Sequence, residues 1–131
     1  MSFRILIVDD EFGLADVIAE VLSEVGYDVA IAINGQLGLV SMSEVEPDLV
    51  LLDMMMPVLD GPAMLRAMRA NPKYADIPVV MMTSLPEALP PADGVQYQGL
   101  LQKPFTQEKL LSMLQALLDL PKDGNGGTHG D

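Results

Sequence analysis

The sequence has 131 residues, a length that suits one domain with one hydrophobic core, and its 50% hydrophobic content argues against disorder. Its 19 acidic and 7 basic residues give a net charge of -12, which argues against binding to a nucleic-acid backbone, because that needs clustered positive charge. No cysteine is present, so disulfides, thiolate metal sites and cysteine nucleophiles are excluded.

Neither a targeting signal nor a membrane span is predicted. The apolar run near the N-terminus is far too short for either, and acidic residues follow it at once. We therefore expect a cytoplasmic protein without membrane attachment. The only histidine, His129, lies in a Gly-rich tail at residues 122–131 that we expect to be flexible. Any step that needs a histidine must then be supplied by another molecule.

Apolar runs alternate with helical patterns along the chain. In chain order, the predicted strands are RILIV, DVAIAI, DLVLL, IPVVMM and GLLQ. Helical patterns follow the first three strands and the last; the second pattern is weakened by Gly38, and the third begins at Asp60-Gly61. This alternation predicts an α/β fold: a doubly wound, five-stranded parallel sheet with helices on both faces.

One connection departs from the alternation. Between the fourth and fifth strands the chain reads SLPEALPPADGVQYQG, with prolines at 86, 90 and 91. Each proline removes a backbone hydrogen-bond donor, so we predict that the helix expected here is shortened or lost. The Pro-rich segment 86–94 is either a variable surface loop or a partner-binding feature, and the sequence leaves both open.

Polar residues stand at the ends of four predicted strands. Asp9 and Asp10 follow the first, Asp53 the third, Thr83 the fourth and Lys103 the fifth. In a doubly wound parallel sheet, ligands bind beyond the carboxyl ends of the strands. We therefore expect these side chains to meet at one edge of the sheet.

Three carboxylates at one edge would repel one another and raise one another's pKa. A hard divalent cation removes that conflict, and an all-oxygen set favours Mg²⁺ or Mn²⁺ over Zn²⁺. Together with the ammonium of Lys103 and the hydroxyl of Thr83, the set fits transfer of a phosphoryl group onto Asp53. Taken singly, each group also has an ordinary explanation: an acidic pair can be a solvated helix N-cap, and a lysine a surface charge.

The sequence resembles response-regulator receiver domains, the phospho-acceptor domains of two-component signalling, over residues 3–120. The resemblance is carried, in order along the chain, by ILIVDDE, LVLLDMMMPVLDG, VVMMTS and LLQKPF. It implies the flavodoxin-like fold with strand order 2-1-3-4-5. It also implies a receiver domain at residues 1–121 followed by the tail at residues 122–131.

The resemblance further implies the role of each site residue. Asp53 matches the phospho-acceptor, and Thr83 and Lys103 match the hydroxyl and the ammonium that engage the phosphoryl group. The implied metal ligands are Asp9 (largely through water), Asp10, Asp53 and the backbone carbonyl of Met55. The peptide bond between Lys103 and Pro104 corresponds to one that is cis in the family.

One position departs from the family pattern. Leu100 stands three residues before Lys103, where receivers usually carry an aromatic residue whose ring turns inward on activation. That readout is therefore absent or replaced, and we predict a remodelled output surface around residues 84–102.

We predict a single-domain response regulator, a phosphoprotein rather than an enzyme in the usual sense, although it catalyses its own phosphorylation and dephosphorylation. Its expected partners are a histidine kinase or histidine phosphotransfer protein and a downstream protein target, with no direct binding to nucleic acid. Two alternatives stay open. One is a pseudo-receiver interaction module without phosphate turnover. The other is a Mg²⁺-dependent aspartyl-phosphate phosphohydrolase, which would need an acid/base carboxylate where this chain has Met55.

Overall fold

The computed structural model describes residues 2–86 and 97–119. Within these ranges the chain forms β1 (Arg4–Val8), α1 (Phe12–Glu24), β2 (Asp28–Ala32), α2 (Gly35–Val45), β3 (Leu49–Asp53), α3 (Gly61–Ala70), β4 (Val79–Thr83), β5 (Gly99–Gln102) and α4 (Gln107–Leu118). The predictions for the tail, and for most of the Pro-rich segment with its shortened or lost helix, lie outside the described residues.

The five strands form one parallel sheet in the order β2-β1-β3-β4-β5, which confirms the predicted architecture. The winding direction reverses between β1 and β3, because the chain first builds outward to β2 and then crosses back to β3. Asp53 pairs with Met82, and Thr83 with Gln102, so the strands end level with one another. The carboxyl ends of four strands therefore meet at one edge.

Side chains that alternate along each strand build a separate core on each face of the sheet. On one face, Ile5 and Ile7 pack with residues of α1 and α4. On the other, Leu6 and Val8 pack with residues of α2 and α3, including Met42. The central strands are covered on both faces, which is why they are continuously apolar in sequence.

The apolar face of α3 and the methionines of β4 lie in the core. Met64, Leu65 and Met68 of α3 are buried, as are Met81 and Met82 of β4. In α4 the buried residues are spaced four apart: Leu110, Leu114 and Leu118. The apolar residues between them, Leu111, Met113 and Leu117, are partly buried against the same core.

Gly38, which weakens the helical pattern of α2, has a packing role. A Cβ atom there would lie 2.8 Å from the Met64 sulfur and 3.1 Å from the Val8 side chain. The glycine therefore lets α2 lie close against α3 and β1, at a cost of about 1 kcal/mol in helix propensity.

At the amino ends of β4 and β5, a half-buried arginine forms hydrogen bonds that stabilise the loop between α3 and β4. Arg69, in the last turn of α3, donates hydrogen bonds to the carbonyls of Tyr74, Ala75 and Ile77 at 3.3, 3.2 and 2.9 Å. It also donates to the side-chain oxygen of Gln98 at 3.0 Å, and that oxygen accepts the Val79 N–H.

In the described part of the chain, no helix has the length and apolar character needed to cross a membrane.

Candidate functional site

Three carboxylates lie together at the carboxyl ends of β1 and β3. Oxygens of Asp9, Asp10 and Asp53 are all within 4.8 Å of one another. Asp9 has no exposed surface and Asp53 only 5%, whereas Asp10 is exposed. The convergence expected from the strand ends is therefore present, although Asp53 is the last residue of β3 and does not follow it.

The ammonium of Lys103 lies against this cluster. Its Nζ donates to Asp9 Oδ2 and to Asp53 Oδ1, each at 3.2 Å, and to Glu11 Oε1 at 2.9 Å. Its side chain is only 14% exposed. The Lys103-Pro104 peptide bond is cis, as predicted, and the backbone N–H of Lys103 donates to the Thr83 carbonyl at 2.8 Å, fixing the loop after β5 to the end of β4.

Thr83 completes the polar edge at the end of β4. Its side chain is buried, and its hydroxyl oxygen accepts the Leu85 N–H at 3.0 Å. A cavity of about 250 Å³ opens over these groups, lined by Asp10, Glu11, Asp53, Met55, Thr83, Ser84 and Lys103. All the predicted site residues except the buried Asp9 line this cavity. Asp9 lies behind them and accepts a hydrogen bond from Lys103, which does line the cavity.

The surroundings of Asp53 and Lys103 raise the pKa of each group, but for different reasons. Burial, followed by the charge of Asp9, raises the pKa of Asp53 to about 6, and the nearby Lys103 offsets only part of that rise. Burial alone would lower the pKa of Lys103, but its carboxylate partners outweigh burial and raise it overall. Near neutral pH the lysine is therefore a fixed cation, and Asp53 is a carboxylate held in an unfavourable setting.

The loop between β3 and α3 packs tightly under the cluster. A Cβ atom at Gly61 would overlap the carbonyl oxygen of Asp53, so only glycine fits there. Asp60 caps α3 by accepting the Ala63 N–H at 2.9 Å. Val58 in this loop has φ of 71°, a left-handed conformation that a β-branched residue rarely adopts.

Residues 5–115 match the family of response regulator receiver domains. The chain belongs to this family. A receiver is a signalling domain of two-component systems, and its edge carboxylates could hold a metal ion, because Asp9, Asp10 and Asp53 offer three oxygens close together.

Two curated relatives contain the matching region as part of a longer protein. RpaA of Synechocystis, a DNA-binding dual master transcriptional regulator, is 37% identical over 117 residues, which cover 88% of this chain and 48% of RpaA. The DNA-binding response regulator MtrA of Mycobacterium tuberculosis is 34% identical over 120 residues, covering 90% of this chain and 51% of MtrA. The chain spans about half the length of these relatives.

Two solved structures share the receiver fold closely. The chemotaxis response regulator CheY4 of Vibrio cholerae is 30% identical with a TM-score of 0.82, over 89% of this chain and 99% of CheY4. The receiver domain of a sensor histidine kinase from Pseudomonas aeruginosa is 28% identical with a TM-score of 0.80, over 92% of this chain and all of that one. That structure has a magnesium ion coordinated in its active-site cleft.

The sequence analysis gave no role to two residues that line the cavity, Ser84 and Glu11, and of these Glu11 contacts Lys103. As the third acidic residue after β1 it was visible in the sequence, but nothing in the spacing shows that its carboxylate contacts Lys103. Leu100, the position that departs from the family pattern, is partly buried and pairs with Met81 across the sheet. It packs against the core on the α2 and α3 face.

Proposed function

We propose that this receiver accepts a phosphoryl group on Asp53 from the phosphohistidine of a histidine kinase or histidine phosphotransfer protein. The observation that carries the proposal is the position of Lys103, whose ammonium donates to both Asp53 and Asp9 at 3.2 Å beside an open cavity. A fixed cation next to a buried carboxylate is what transfer of an anionic group onto that carboxylate requires.

In the proposed reaction an oxygen of Asp53 attacks the phosphorus of the phosphohistidine. The O–P bond forms as the P–N bond breaks, and the imidazole nitrogen leaves with the electron pair. Lys103 pairs with the charge on the transferred group, and the Thr83 hydroxyl donates a hydrogen bond to a phosphoryl oxygen. Hydrolysis ends the phosphorylated state: a water oxygen attacks the phosphorus as the bond between Asp53 and phosphorus breaks, which releases inorganic phosphate and restores the Asp53 carboxylate.

The donor set at this edge suits Mg²⁺ or Mn²⁺, because it consists of oxygen atoms only. We propose that Asp10 and Asp53 bind the ion directly, with the backbone carbonyl of Met55, and that Asp9 acts on it largely through water. When bound, the ion neutralises charge on the phosphoryl oxygens. The carboxylates would then no longer repel one another, which removes one cause of the raised pKa of Asp53.

The added negative charge is proposed to shift an equilibrium between two conformations of the loop after Thr83, changing a surface that a downstream protein recognises. Because Leu100 replaces the usual aromatic ring, we propose that output uses a remodelled surface around residues 84–102. We assign the receiver to residues 1–121, with residues 122–131 as a tail. The phosphoryl-transfer role makes this chain a signalling protein rather than a conventional enzyme.

DNA binding is named for RpaA and MtrA, whose length is about twice the part matched here. The proposal for this chain is limited to protein partners. Its 19 acidic and 7 basic residues give the sequence too little positive charge for a phosphate backbone.

The test is phosphorylation by acetyl phosphate, followed by intact-protein mass, with Mg²⁺ withheld and then restored. We expect one added phosphoryl group on the wild type with Mg²⁺ and none on Asp53→Asn. The matched control is Asp60→Asn, which removes a neighbouring carboxylate but keeps the helix cap, since asparagine is also a good N-cap. This control should be phosphorylated like the wild type.

Three other results would contradict the proposal. A wild type that takes up no phosphoryl group under any metal condition would be a pseudo-receiver, an interaction module that works by its fold. Continuous release of phosphate from phosphate esters would instead identify a phosphohydrolase. Phosphorylation of Asp53→Asn to the wild-type level would show that Asp53 is not the acceptor.

A further inference from the structure

Glu11 occupies the N-cap position of α1 but does not cap the helix. Its side chain makes no capping hydrogen bond, and its Oε1 accepts from Lys103 Nζ at 2.9 Å instead. The backbone N–H of Glu11 is held by Asp9 Oδ1 at 2.7 Å, so the start of the helix is fixed against the cluster. The Glu11 carboxylate is therefore directed to the site lysine and not to the backbone of the helix.

This contact completes the hydrogen bonding of Lys103. An ammonium has three N–H donors, and those of Lys103 are directed to Asp9, Glu11 and Asp53. An incoming phosphoryl group therefore meets a lysine with no spare donor. For Lys103 to bind a phosphoryl oxygen, one of the three carboxylates must give up its hydrogen bond.

The exposure of each carboxylate determines which one loses its hydrogen bond to Lys103 at the lowest cost in free energy. The side chains of Asp9 and Asp53 are 0% and 8% exposed, so either would lose a partner in a buried setting. The Glu11 side chain is 61% exposed, and water can replace the lysine at its oxygens.

We propose that Glu11 is a positioning residue that holds Lys103 in the unphosphorylated receiver and competes with the phosphoryl group for its N–H donors. This inference rests on the proposed function. Glu11 keeps the ammonium at the site and yields it when a phosphoryl group arrives. The contact therefore stabilises the resting state relative to the state in which phosphoryl transfer occurs, and it slows phosphorylation.

The experiment compares the rates of phosphorylation of the wild type, Glu11→Gln and Glu20→Gln by acetyl phosphate with Mg²⁺. Glutamine keeps the size of the side chain but holds the ammonium less strongly. Since exposed ion pairs contribute little, we expect Glu11→Gln to react about two- to fivefold faster than the wild type. Glu20, exposed on the same helix, gives the same change of net charge and should leave the rate unchanged.

A second phosphoryl donor separates release of Lys103 from a simple loss of repulsion. Phosphoramidate carries less negative charge than acetyl phosphate, but both present a phosphoryl group to Lys103. Competition for the lysine predicts a similar acceleration of Glu11→Gln with both donors. An acceleration confined to acetyl phosphate would show that Glu11 only repels anions and would overturn the inference.

The remaining outcomes are also decisive. A Glu11→Gln rate equal to or below that of a reactive wild type would overturn the inference and leave the proposed function standing. An equal acceleration in Glu20→Gln would overturn it as well, because the effect would then come from net charge. A wild type that does not react with either donor would reject the proposed function itself, and the competition with it.

Discussion

Two half-buried cations at opposite ends of the sheet are held in contrasting ways. At the carboxyl ends, Lys103 donates to three carboxylates that repel one another. At the amino ends, Arg69 donates to backbone carbonyls of the loop after α3 and to Gln98. Burial lowers the pKa of Arg69, with partial compensation from Asp76, whereas the carboxylates raise the pKa of Lys103.

The difference lies in whether the partners can be exchanged. Backbone carbonyls are fixed by the fold, so the Arg69 contacts can stabilise only one arrangement. Carboxylates can take up a metal ion, a proton or a phosphoryl group, and each of these changes what Lys103 binds. The amino end of the sheet is therefore suited to stability, and the carboxyl end to a change of state.

The largest expected effect on the free energy of unfolding is at the amino end of the sheet, at Arg69. Arg69→Met keeps much of the aliphatic side chain but leaves carbonyls without their donor, so we expect a loss of about 3 kcal/mol in the free energy of unfolding. Urea unfolding with and without Mg²⁺ should give the same loss. The control, Arg66→Met on the exposed side of the same helix, should change stability by less than about 0.5 kcal/mol. A loss for Arg69→Met that Mg²⁺ reverses would remove the contrast between the two ends.

At the carboxyl end of the sheet, Lys103→Met leaves the carboxylates of Asp9 and Asp53 without their cation. In metal-free buffer we expect a loss of about 2 kcal/mol in the free energy of unfolding, because buried charges have lost their partner. Mg²⁺ should recover most of this loss by binding the cluster in place of the ammonium. Unfolding curves that respond to Mg²⁺ no more than those of Arg69→Met would contradict the expectation.

Removing the charge of Asp53 should raise the free energy of unfolding, whereas removing the charge of Lys103 should lower it. The folded-state pKa of Asp53, about 6, lies above its ordinary value of 3.8, so the folded protein binds this proton more tightly than the unfolded chain. The carboxyl therefore destabilises the fold near neutral pH, and this penalty fades as pH falls through about 6.

In metal-free buffer at about pH 7, Asp53→Asn should consequently be more stable than the wild type by about 2 kcal/mol. The gap should shrink as the pH falls toward about 5, since the wild type then takes up its proton. Chemical denaturation across this pH range measures it. A gap that stays constant with pH would show that Asp53 is not perturbed in the folded state.

The smallest expected effect concerns backbone strain beside the site. Val58 is 76% exposed with φ of 71°, and glycine adopts this conformation without a side-chain clash. Val58→Gly should raise the free energy of unfolding by about 1 kcal/mol in thermal or urea unfolding. Val17→Gly, at an exposed position of α1, should instead lower stability, because glycine disfavours a helix. Equal losses at both positions would show that Val58 is not strained.

Several features of the fold could be read from short stretches of sequence. The strands RILIV and GLLQ have the predicted bounds, while DVAIAI was extended one residue too far and Asp53 proved to belong to β3. The cap at Asp60, the Pro62 start of α3 and the inward methionines follow from local hydrogen bonding and periodicity, so they could be predicted without knowing the neighbours.

Other features depended on how distant segments pack. Gly38 disfavours a helix locally, yet the close approach of α2 to Met64 and Val8 favours a residue without a side chain there. The contact between Glu11 and Lys103 joins residues 92 positions apart, and nothing near either one specifies it.

By itself, the sequence determined the alternation of strands and helices and which polar residues stand at the strand ends, because side-chain periodicity and turn chemistry act over a few residues. The tertiary structure alone decided how deeply each carboxylate is buried and which of them contact Lys103. Those properties depend on how the sheet and helices close around the site, since burial and the positions of nearby charges set both the pKa of Asp53 and the partners of the lysine.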